Sequence, residues 1–175
     1  MTHLQIKPYI TEQQLQKKVA EIGEAITKKF NGQEVVAVCV LKGSFVFYSD
    51  LIRHIHTDIA CEFFGVSSYH GSTSSGEVKV TLDLTHPIEG KHVLLVEDIV
   101  DTGITMNYLK NSINARKPAS LTTIALLEKP EALKVPCKLD YVGFQITNEF
   151  VVGYGLDYEG YYRNLPYIGQ VQNFQ

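Results

Sequence analysis

Two hydrophobic patterns alternate along this chain. Continuous runs rich in Val, Ile and Leu predict strands that are buried on both faces, at residues 35–41, 92–99 and 121–127. Shorter strand candidates lie at 59–66, 141–146 and 150–154, and a strict alternation at 78–84 predicts a half-exposed strand. Apolar positions at helical spacing predict helices at 11–30, 43–55 and 105–115. Strands that alternate with helices are typical of βαβ units, so we predict an α/β fold with a doubly wound, mostly parallel sheet flanked by helices.

The first predicted helix has a clear start and stop. Thr11 is a candidate N-cap, and Asn31-Gly32 is a typical end signal. No linker rich in Pro, Gly or Ser divides the 175 residues, so we expect one domain with its core at about 33–148. The N-terminal segment, including this helix, and residues 149–175 are expected to form a small cap beside the core.

Composition and charge exclude several classes of protein. Hydrophobic residues make up 45% of the chain and charged residues 20%, which is typical of folded globular proteins. Because 16 Lys and Arg stand against 19 Asp and Glu, there is no bulk attraction to nucleic acid or to an anionic membrane. The longest apolar run, at 35–41, is far shorter than the roughly 20 residues that span a bilayer, and no signal peptide is recognised. With three widely spaced cysteines and no CxxC pair, we expect a reduced, cytoplasmic protein.

A polar segment at residues 67–76 separates two strand candidates. Tyr69 is its only bulky side chain. The segment is either a solvated hairpin tip or a mobile lid that covers a ligand, because lids come from the least stable parts of a structure. The composition alone does not choose between these interpretations.

The stretch at residues 93–105 carries the densest chemistry. A buried strand is followed by Asp101-Thr102-Gly103 and, after one more residue, by Thr105, where a helix is predicted to begin. Such a loop supplies backbone N–H groups, hydroxyls and a glycine for tight curvature, and the helix N-terminus adds its positive dipole end. We therefore predict a phosphate-binding loop at the carboxyl end of this strand, where ligands bind in open α/β sheets.

Two adjacent carboxylates, Glu97 and Asp98, precede that loop. Ionised carboxylates only accept hydrogen bonds, so they would repel a phosphate but suit sugar hydroxyls or a divalent cation with oxygen ligands. A sugar phosphate would satisfy both halves of such a site. An acidic cluster at a helix start is the alternative, and it accounts for Asp101 but not for the adjacent pair. No P-loop or dinucleotide fingerprint occurs, since the Gly-Tyr-Gly run at 153–155 lacks a third glycine.

These motifs, taken in order, resemble those of type I phosphoribosyltransferases. Residues 97–105 resemble the family's diphosphosugar signature, residues 41–44 its pyrophosphate loop, and Ser68-Tyr69 with the polar residues that follow its catalytic lid. The C-terminal part resembles that of hypoxanthine-guanine phosphoribosyltransferases, most closely the bacterial type, at Lys129, 142–144, 150–154, 156–158 and Arg163. The resemblance implies the type I phosphoribosyltransferase fold, with a small cap, or hood, and a flexible lid hairpin.

The same resemblance implies an enzyme of purine salvage. It implies transfer of the 5-phosphoribosyl group from 5-phosphoribosyl 1-diphosphate to a 6-oxopurine, hypoxanthine or guanine or both, giving IMP or GMP and diphosphate. Mg²⁺ is the implied cofactor, a homodimer or homotetramer is expected, and no nucleic-acid or membrane partner is expected. Two alternatives stay open: a phosphoribosyltransferase that prefers xanthine, and a nucleotide-sensing, RNA-binding regulator on the same fold.

The resemblance also assigns roles to residues on the phosphoribosyl side. Asp101 matches the general base that accepts the purine ring N–H proton. Glu97 and Asp98 match the ribose ligands, one of them through Mg²⁺, and Asp157 matches a further Mg²⁺ ligand. Phosphoribosyl contacts are expected at Glu97, Asp98, Thr102, Gly103, Ile104 and Thr105, and diphosphate contacts at Lys42, Gly43, Ser68, Tyr69 and Arg163.

Base recognition is expected on the C-terminal side. Lys129 has three donors and no acceptor, so it would bond the exocyclic oxygen of a 6-oxopurine and reject adenine by factors up to roughly 10⁴. Phe150 would stack on the purine, and Val151 and Asp157 would contact the ring edge through their backbones. The family often has a non-proline cis peptide, which we predict at Leu41–Lys42.

Three of these assignments have plainer alternatives on sequence alone. Lys42 is also explained as an exposed lysine that follows a strand, and Arg163 as a member of a surface ion pair. Phe150 is also explained as a core aromatic residue.

Overall fold

The structure is a computed structural model that describes residues 4–68 and 78–172, with Ser68 described by its backbone alone. The elements within those residues, in chain order, are β1 (Ile6–Ile10), α1 (Glu12–Phe30), β2 (Val35–Leu41), α2 (Phe45–Ile52), β3 (Ile59–Ser68), β4 (Val78–Leu82), β5 (His92–Val100), α3 (Ile104–Asn114), β6 (Ser120–Glu128), a 3-10 helix (Pro130–Ala132), β7 (Tyr141–Gln145), β8 (Val151–Val152) and β9 (Ile168–Val171). Of the helices in these ranges, none has the length and apolarity needed to cross a bilayer.

The larger of two sheets has six strands in the order β4-β3-β2-β5-β6-β7. Neighbours from β3 to β7 run parallel, and β4 is the antiparallel strand at one edge. The chain places β3 on one side of β2 and then β5 on the other, so the order of the strands reverses between β2 and β5. The crevice outside the carboxyl ends of these two strands is where such sheets bind ligands. The predicted mostly parallel α/β sheet is confirmed.

Hydrophobic clusters cover both faces of this sheet, because successive side chains of a strand point to opposite sides. On one face, Leu15 of α1 and Phe47 of α2 pack in the same cluster as Cys39 of β2. On the other face, Met106 of α3 packs in a cluster with Val38 of β2. Where a strand lies between two such layers, its side chains are buried on both faces, which explains the continuous apolar runs within β2, β5 and β6.

Helix α1 packs in the main core cluster, which joins side chains of the large sheet with Ile10 and Ile168 of the N- and C-terminal strands. Its side chains Leu15, Val19 and Ile26 are fully buried there. A 19-residue helix with a long apolar stripe needs a wide apolar surface, which this shared cluster provides. The predicted start is confirmed: the Thr11 hydroxyl accepts from the Gln14 N–H in a capping box. The predicted end is confirmed by Asn31, which caps the helix with a φ of 46°.

Helix α2 is shorter than the predicted span 43–55. Ser44 is its N-cap, and the buried Ser44 hydroxyl donates to the Val40 carbonyl at 2.5 Å, which holds residues 42–44 in a turn before the helix. After Ile52 the backbone continues in turns, since His54 N–H donates to Leu51 and Ile55 N–H to Ile52. Apolar spacing alone does not distinguish such turns from a further helical turn.

A second sheet, with the order β1-β9-β8, forms the cap. The N-terminal strand β1 pairs antiparallel with β9, where Ile6 lies opposite Val171. Strand β8 pairs with the other edge of β9. The cap therefore consists of three strands drawn from both ends of the described chain.

Candidate active site

The candidate site lies at the carboxyl ends of β2, β5 and β6, three neighbouring parallel strands. The loop at 42–44 follows β2, the loop at 101–103 follows β5, and Lys129 follows β6. The Lys129 N–H donates to the Val100 carbonyl at 2.9 Å, which joins the last two of these chain segments. The structure thus brings together residues that are separated by more than eighty positions in the sequence.

The acidic pair at the end of β5 is buried. Glu97 and Asp98 are each 8% exposed. Ile99 N–H donates to Asp98 Oδ1 at 2.8 Å, whereas Glu97 Oε2 is buried and has no hydrogen-bond partner among the described residues. Burial raises the pKa of Glu97 well above its usual value, and the adjacent Asp98 carboxyl adds to that shift. Burial also raises the pKa of Asp98, against the opposing effects of Glu97, the Ile99 N–H and the Arg163 charge.

Gly43 is required at its position because the Asp98 carboxylate lies against it. A Cβ at residue 43 would be 1.6 Å from Asp98 Oδ2. Gly43 also meets the C-terminal segment, since a Cβ on Gly155 would be 2.1 Å from the Gly43 carbonyl oxygen. Lys42, just before Gly43, is exposed, and the predicted cis peptide at Leu41–Lys42 is present.

The loop between β5 and α3 has the features of an anion site. Gly103 is the N-cap residue of α3 in a left-handed conformation, with a φ of 78°, and has no side chain to cap the helix. The Ile104 N–H makes a long bond of 3.4 Å to the Thr102 hydroxyl, and the first turn contains no acidic residue, so the positive dipole end faces no carboxylate of its own helix. The Thr102 carbonyl accepts from Lys134 and Val135 N–H, at 3.0 and 3.3 Å, which supports the loop from behind. A cavity of about 200 Å³ adjoins this loop and is lined by Glu97, Ile99, Val100, Asp101, Gly103, Thr105 and Met106.

Asp101 and Lys129 occupy neighbouring positions at the top of the sheet. They directly follow Val100 and Glu128, which are register partners in β5 and β6. Asp101 is exposed, and its Oδ1 accepts from the Thr102 N–H. A carboxylate and an ammonium at the ends of adjacent strands, about 4.8 Å apart, can contact one small planar ligand.

The C-terminal wall of the site carries the aromatic residue. Lys129 Nζ donates to the Glu149 carbonyl at 2.7 Å, so the ammonium lies beside the residue that precedes Phe150. Phe150 is half-buried and meets the edge of the Tyr158 ring, with centroids 5.9 Å apart at 89°. Val151 is buried in the core. Phe150 therefore keeps part of its ring surface accessible.

Asp157 and Arg163 form an ion pair of 2.6 Å between Oδ1 and Nη2. Asp157 Oδ2 accepts from the Gly160 N–H at 2.7 Å, and Arg163 Nη1 donates to the Gly155 carbonyl at 2.6 Å. The structure does not bring Asp157 into a common ligand set with the acidic pair: in residues 4–68 and 78–172, no three His, Cys, Asp or Glu side chains could hold one metal ion. The Ser68 side chain and Tyr69 lie outside the described residues.

Sequence reasoning missed two contributors to the site. The Gly-Tyr-Gly run at 153–155 forms a turn in which all three residues have positive φ, of 99°, 50° and 102°. The Glu149 carbonyl, which accepts from Lys129, carries no residue-type signal at all. The paired glycines were the available signal for the turn, since a glycine pair often marks close backbone approach.

Comparison with known proteins agrees with this arrangement. The profile of the phosphoribosyl transferase domain matches residues 9–159, most of the chain. The chain belongs to the phosphoribosyltransferase family.

Two solved structures and one curated relative place this phosphoribosyltransferase within the family. It is 47% identical over 170 residues to hypoxanthine-guanine phosphoribosyltransferase of Bacillus subtilis (strain 168), covering 97% of this chain and 94% of that relative. A crystal structure of a hypoxanthine-guanine phosphoribosyltransferase from Bacillus anthracis superposes with a TM-score of 0.92 at 47% identity, covering 97% of this chain and 100% of that one. Hypoxanthine phosphoribosyl transferase of Trypanosoma cruzi gives a TM-score of 0.91 at 42% identity, covering 98% and 94%.

Proposed function

We propose that this phosphoribosyltransferase transfers the 5-phosphoribosyl group from 5-phosphoribosyl 1-diphosphate to hypoxanthine or guanine and releases diphosphate. The observation that carries the proposal is the placement of a buried acidic pair beside the glycine-capped N-terminus of α3, next to a lysine at the end of β6. The relatives with nearly half their residues in common bear the name of this activity.

The acidic pair and the adjoining loop bind different parts of the sugar phosphate. Glu97 and Asp98 accept hydrogen bonds from the ribose hydroxyls, which relieves the cost of burying two neighbouring carboxylates. The N–H groups at the start of α3, with Thr102 and Thr105, hold the 5-phosphate. Ile104 contributes its backbone only, since its side chain is apolar. This division keeps phosphate away from the carboxylates that would repel it.

Base choice rests on Lys129. Its ammonium donates to the exocyclic oxygen of a 6-oxopurine, whereas the amino group of adenine would place donor against donor. Phe150 stacks on the ring, and the backbone of Val151 and Asp157 contacts its edge. Asp101, at the end of the adjacent strand, accepts the proton that leaves the purine ring nitrogen as the glycosidic bond forms.

The diphosphate side combines Lys42, Gly43 and Arg163. Lys42 is exposed at the crevice, and Arg163 is held close to Gly43 by its bond to the Gly155 carbonyl. A guanidinium can bind diphosphate oxygens bidentately, and in this structure one of its nitrogens already binds the Asp157 carboxylate. Charge that develops on the leaving diphosphate is thereby stabilised by groups already in place. Ser68 and Tyr69 remain a prediction for this side.

Magnesium fits the acidic pair. Glu97 Oε2 is a buried oxygen without a partner among the described residues, and Mg²⁺ takes one or two carboxylates together with water and phosphate oxygens. When bound, Mg²⁺ supplies positive charge to the oxygens of the diphosphosugar. Both Asp157 oxygens accept hydrogen bonds in this structure, so Asp157 would help to hold Mg²⁺ only if Arg163 released it.

A steady-state screen tests the proposal. The purified protein is assayed with 5-phosphoribosyl 1-diphosphate, Mg²⁺ and, in turn, hypoxanthine, guanine, xanthine, adenine and uracil. We expect turnover with hypoxanthine, guanine or both, and a loss of about 10²–10⁴ in kcat for Asp101→Asn. Preference for xanthine would support the second enzymatic alternative. Absence of turnover, with tight and salt-sensitive RNA retention in a filter-binding assay, would overturn the proposal in favour of a regulator.

A further inference from the structure

A buried hydrogen bond joins the two walls of the proposed site. The hydroxyl of Tyr154, a residue only 3% exposed, donates to Asp50 Oδ2 at 2.6 Å. Burial raises the pKa of Tyr154 and the Asp50 hydrogen bond adds to the shift, so the hydroxyl keeps its proton and is the donor. The two residues are 104 positions apart in the sequence. Their bond is therefore a tertiary link rather than a local one.

Each end of this link belongs to a different wall. Asp50 lies in α2, the helix that begins directly after the loop at 42–44. Tyr154 lies in the turn at 153–156, which separates Val151 from Asp157. The turn is held internally by paired bonds between Gly153 and Leu156, of 3.0 and 3.1 Å. The Tyr154 N–H donates to the Leu165 carbonyl and the Gly155 N–H to the Arg163 carbonyl. The turn therefore also fixes the backbone of Arg163, the arginine on the diphosphate side.

The contact between the walls is close. Gly155, beside Tyr154, lies against the Gly43 carbonyl so closely that a Cβ would reach within 2.1 Å. Tyr154 is the one residue of this turn with positive φ that is not a glycine, so its backbone conformation is unfavourable. Such a conformation persists only when the surrounding structure holds it in place. The Tyr154–Asp50 bond is the side-chain contact that supplies this restraint from the direction of α2.

We infer that Tyr154 and Asp50 are positioning residues that fix the turn at 153–156 against the loop at 42–44, and thereby set the purine in line with the departing diphosphate. The inference rests on the proposed function. Neither side chain needs to touch a substrate. Displacement of a reacting group by about 1 Å lowers turnover by as much as 10²-fold, so loss of this restraint is felt in catalysis.

The test compares Tyr154→Phe with Tyr48→Phe. Tyr48 lies in α2, as Asp50 does, and is 3% exposed, as Tyr154 is. Its hydroxyl donates to the Ala37 carbonyl of β2 at 3.0 Å, so this bond does not join the two walls. Each variant loses one buried hydrogen bond, so we expect similar small losses of thermal stability. We expect kcat/KM for 5-phosphoribosyl 1-diphosphate to fall about tenfold in Tyr154→Phe, with a lower kcat, and to stay within twofold in Tyr48→Phe.

Variants at Asp50 separate positioning from folding. Asp50→Asn keeps an acceptor oxygen for Tyr154, and we expect near-normal kinetics. Asp50→Ala breaks the same bond as Tyr154→Phe, so the double variant should be no slower than either single one. If Tyr154→Phe matched Tyr48→Phe while the unmodified protein was active, the inference would fail and the proposed function would stand. An unmodified protein without activity on any base would overturn both.

Discussion

Glu97 is an ionisable residue, and its burial disfavours the charged form of its carboxyl group. Its side chain is 8% exposed, Oε2 lacks a partner among the described residues, and Asp98 is the next residue. A pKa raised in the folded state means that protonation stabilises the fold. The favourable contribution of this carboxyl to the free energy of unfolding is present below its unfolded pKa of about 4.3. It is lost as the pH rises through the higher pKa of the folded state.

We predict that Glu97→Gln stabilises the ligand-free protein while it impairs catalysis. The neutral amide removes the buried charge, so the free energy of unfolding should rise by about 1 kcal/mol at pH 8 and the gain should vanish near pH 4. Urea denaturation at a series of pH values measures the difference. A constant gain at every pH would contradict the raised pKa of Glu97.

Glu62, on β3 far from the candidate site, gives the opposite case. Burial disfavours its charge, but hydrogen bonds from the Thr85 N–H and hydroxyl and from His86 outweigh that effect, so the pKa of Glu62 lies below its usual value. Its stabilising contribution is present above the unfolded pKa of about 4.3 and is lost as the pH falls through the lower folded pKa.

Glu62→Gln should therefore destabilise the protein by about 1–3 kcal/mol at pH 8. The loss should shrink as the pH falls below about 4.3, in contrast to the behaviour of Glu97→Gln. The same urea series measures both variants. Equal stability of Glu62→Gln and the unmodified protein at pH 8 would show that these hydrogen bonds only offset the cost of burial.

Lys129 is the residue to which we assign base selection. An amide at this position has both donor and acceptor groups, so Lys129→Gln should accept the amino group of adenine as well as an exocyclic oxygen. We predict at least a tenfold fall in the ratio of kcat/KM for hypoxanthine over adenine. Steady-state assays with the two bases measure it, and Lys138→Gln, a lysine of the loop before β7, is the control. An unchanged ratio would place base selection elsewhere.

At the scale of elements, the loop between β5 and α3 depends on one glycine. Gly103 has a φ of 78°, and a Cβ there would be 2.8 Å from the Val135 carbonyl oxygen. Gly90 has a φ of 70°, with nothing within 4 Å of such a Cβ. Alanine at either position pays a similar conformational cost, of about 1 kcal/mol, but only the first also pushes the loop away from its support.

We predict that Gly103→Ala weakens binding of 5-phosphoribosyl 1-diphosphate about tenfold, because the N–H groups at the start of α3 shift. Gly90→Ala should lose only stability. Isothermal titration calorimetry measures binding, and thermal unfolding measures stability. Equal affinities in the two variants would remove this loop from phosphate binding.

The elements that could be predicted are those with an unambiguous hydrophobic pattern. Strands β2, β5 and β6 lie between two hydrophobic layers and each contains an unbroken apolar run, and α1 begins and ends at recognisable capping residues. Strands β1 and β9 were not predicted. Exposed positions dominate β1, which contains Pro8, and β9 contains Gly169, so neither has the alternation of a typical strand. Their pairing with each other, not their own pattern, determines their conformation.

At the scale of the whole molecule, two large side chains stay exposed near one edge of the main sheet. Phe45 of α2 is 44% exposed and Phe63 of β3 is 42% exposed. The Tyr48 ring, one turn after Phe45, lies 5.9 Å from the Phe63 ring. Exposed aromatic side chains are typical of association surfaces when they form a patch, so we take Phe45 and Phe63 as candidates for one.

We predict a homodimer or homotetramer in solution, and expect Phe63→Ser to shift it toward the monomer. Tyr108→Ser, which alters an exposed aromatic residue of α3 on the other side of the sheet, is the control. Sedimentation velocity over a range of concentrations measures the assembly. If the unmodified protein were monomeric throughout, or if both variants behaved alike, this surface would have no part in association.

The whole-molecule arrangement shows which parts of the site were accessible from sequence. Glu97, Asp98 and the loop to Thr105 are contiguous, so their common location followed from one strand and one turn. The contact of Gly155 with Gly43 and the hydrogen bond of Tyr154 to Asp50 depend on how the last third of the chain returns across α2. Such contacts between distant segments have no local pattern, and only the folded chain brings them together.

The pairing of β1 with β9 has a consequence for the order of events on the ribosome. Residues 6–10 emerge early, yet their hydrogen-bonding partner, residues 168–171, is made more than 150 positions later. Because chains are synthesised from the N-terminus, the large sheet can form before β9 exists. Until then the backbone of β1 is hydrogen-bonded to water. The two segments then pair in one late step, which also completes the three-stranded cap.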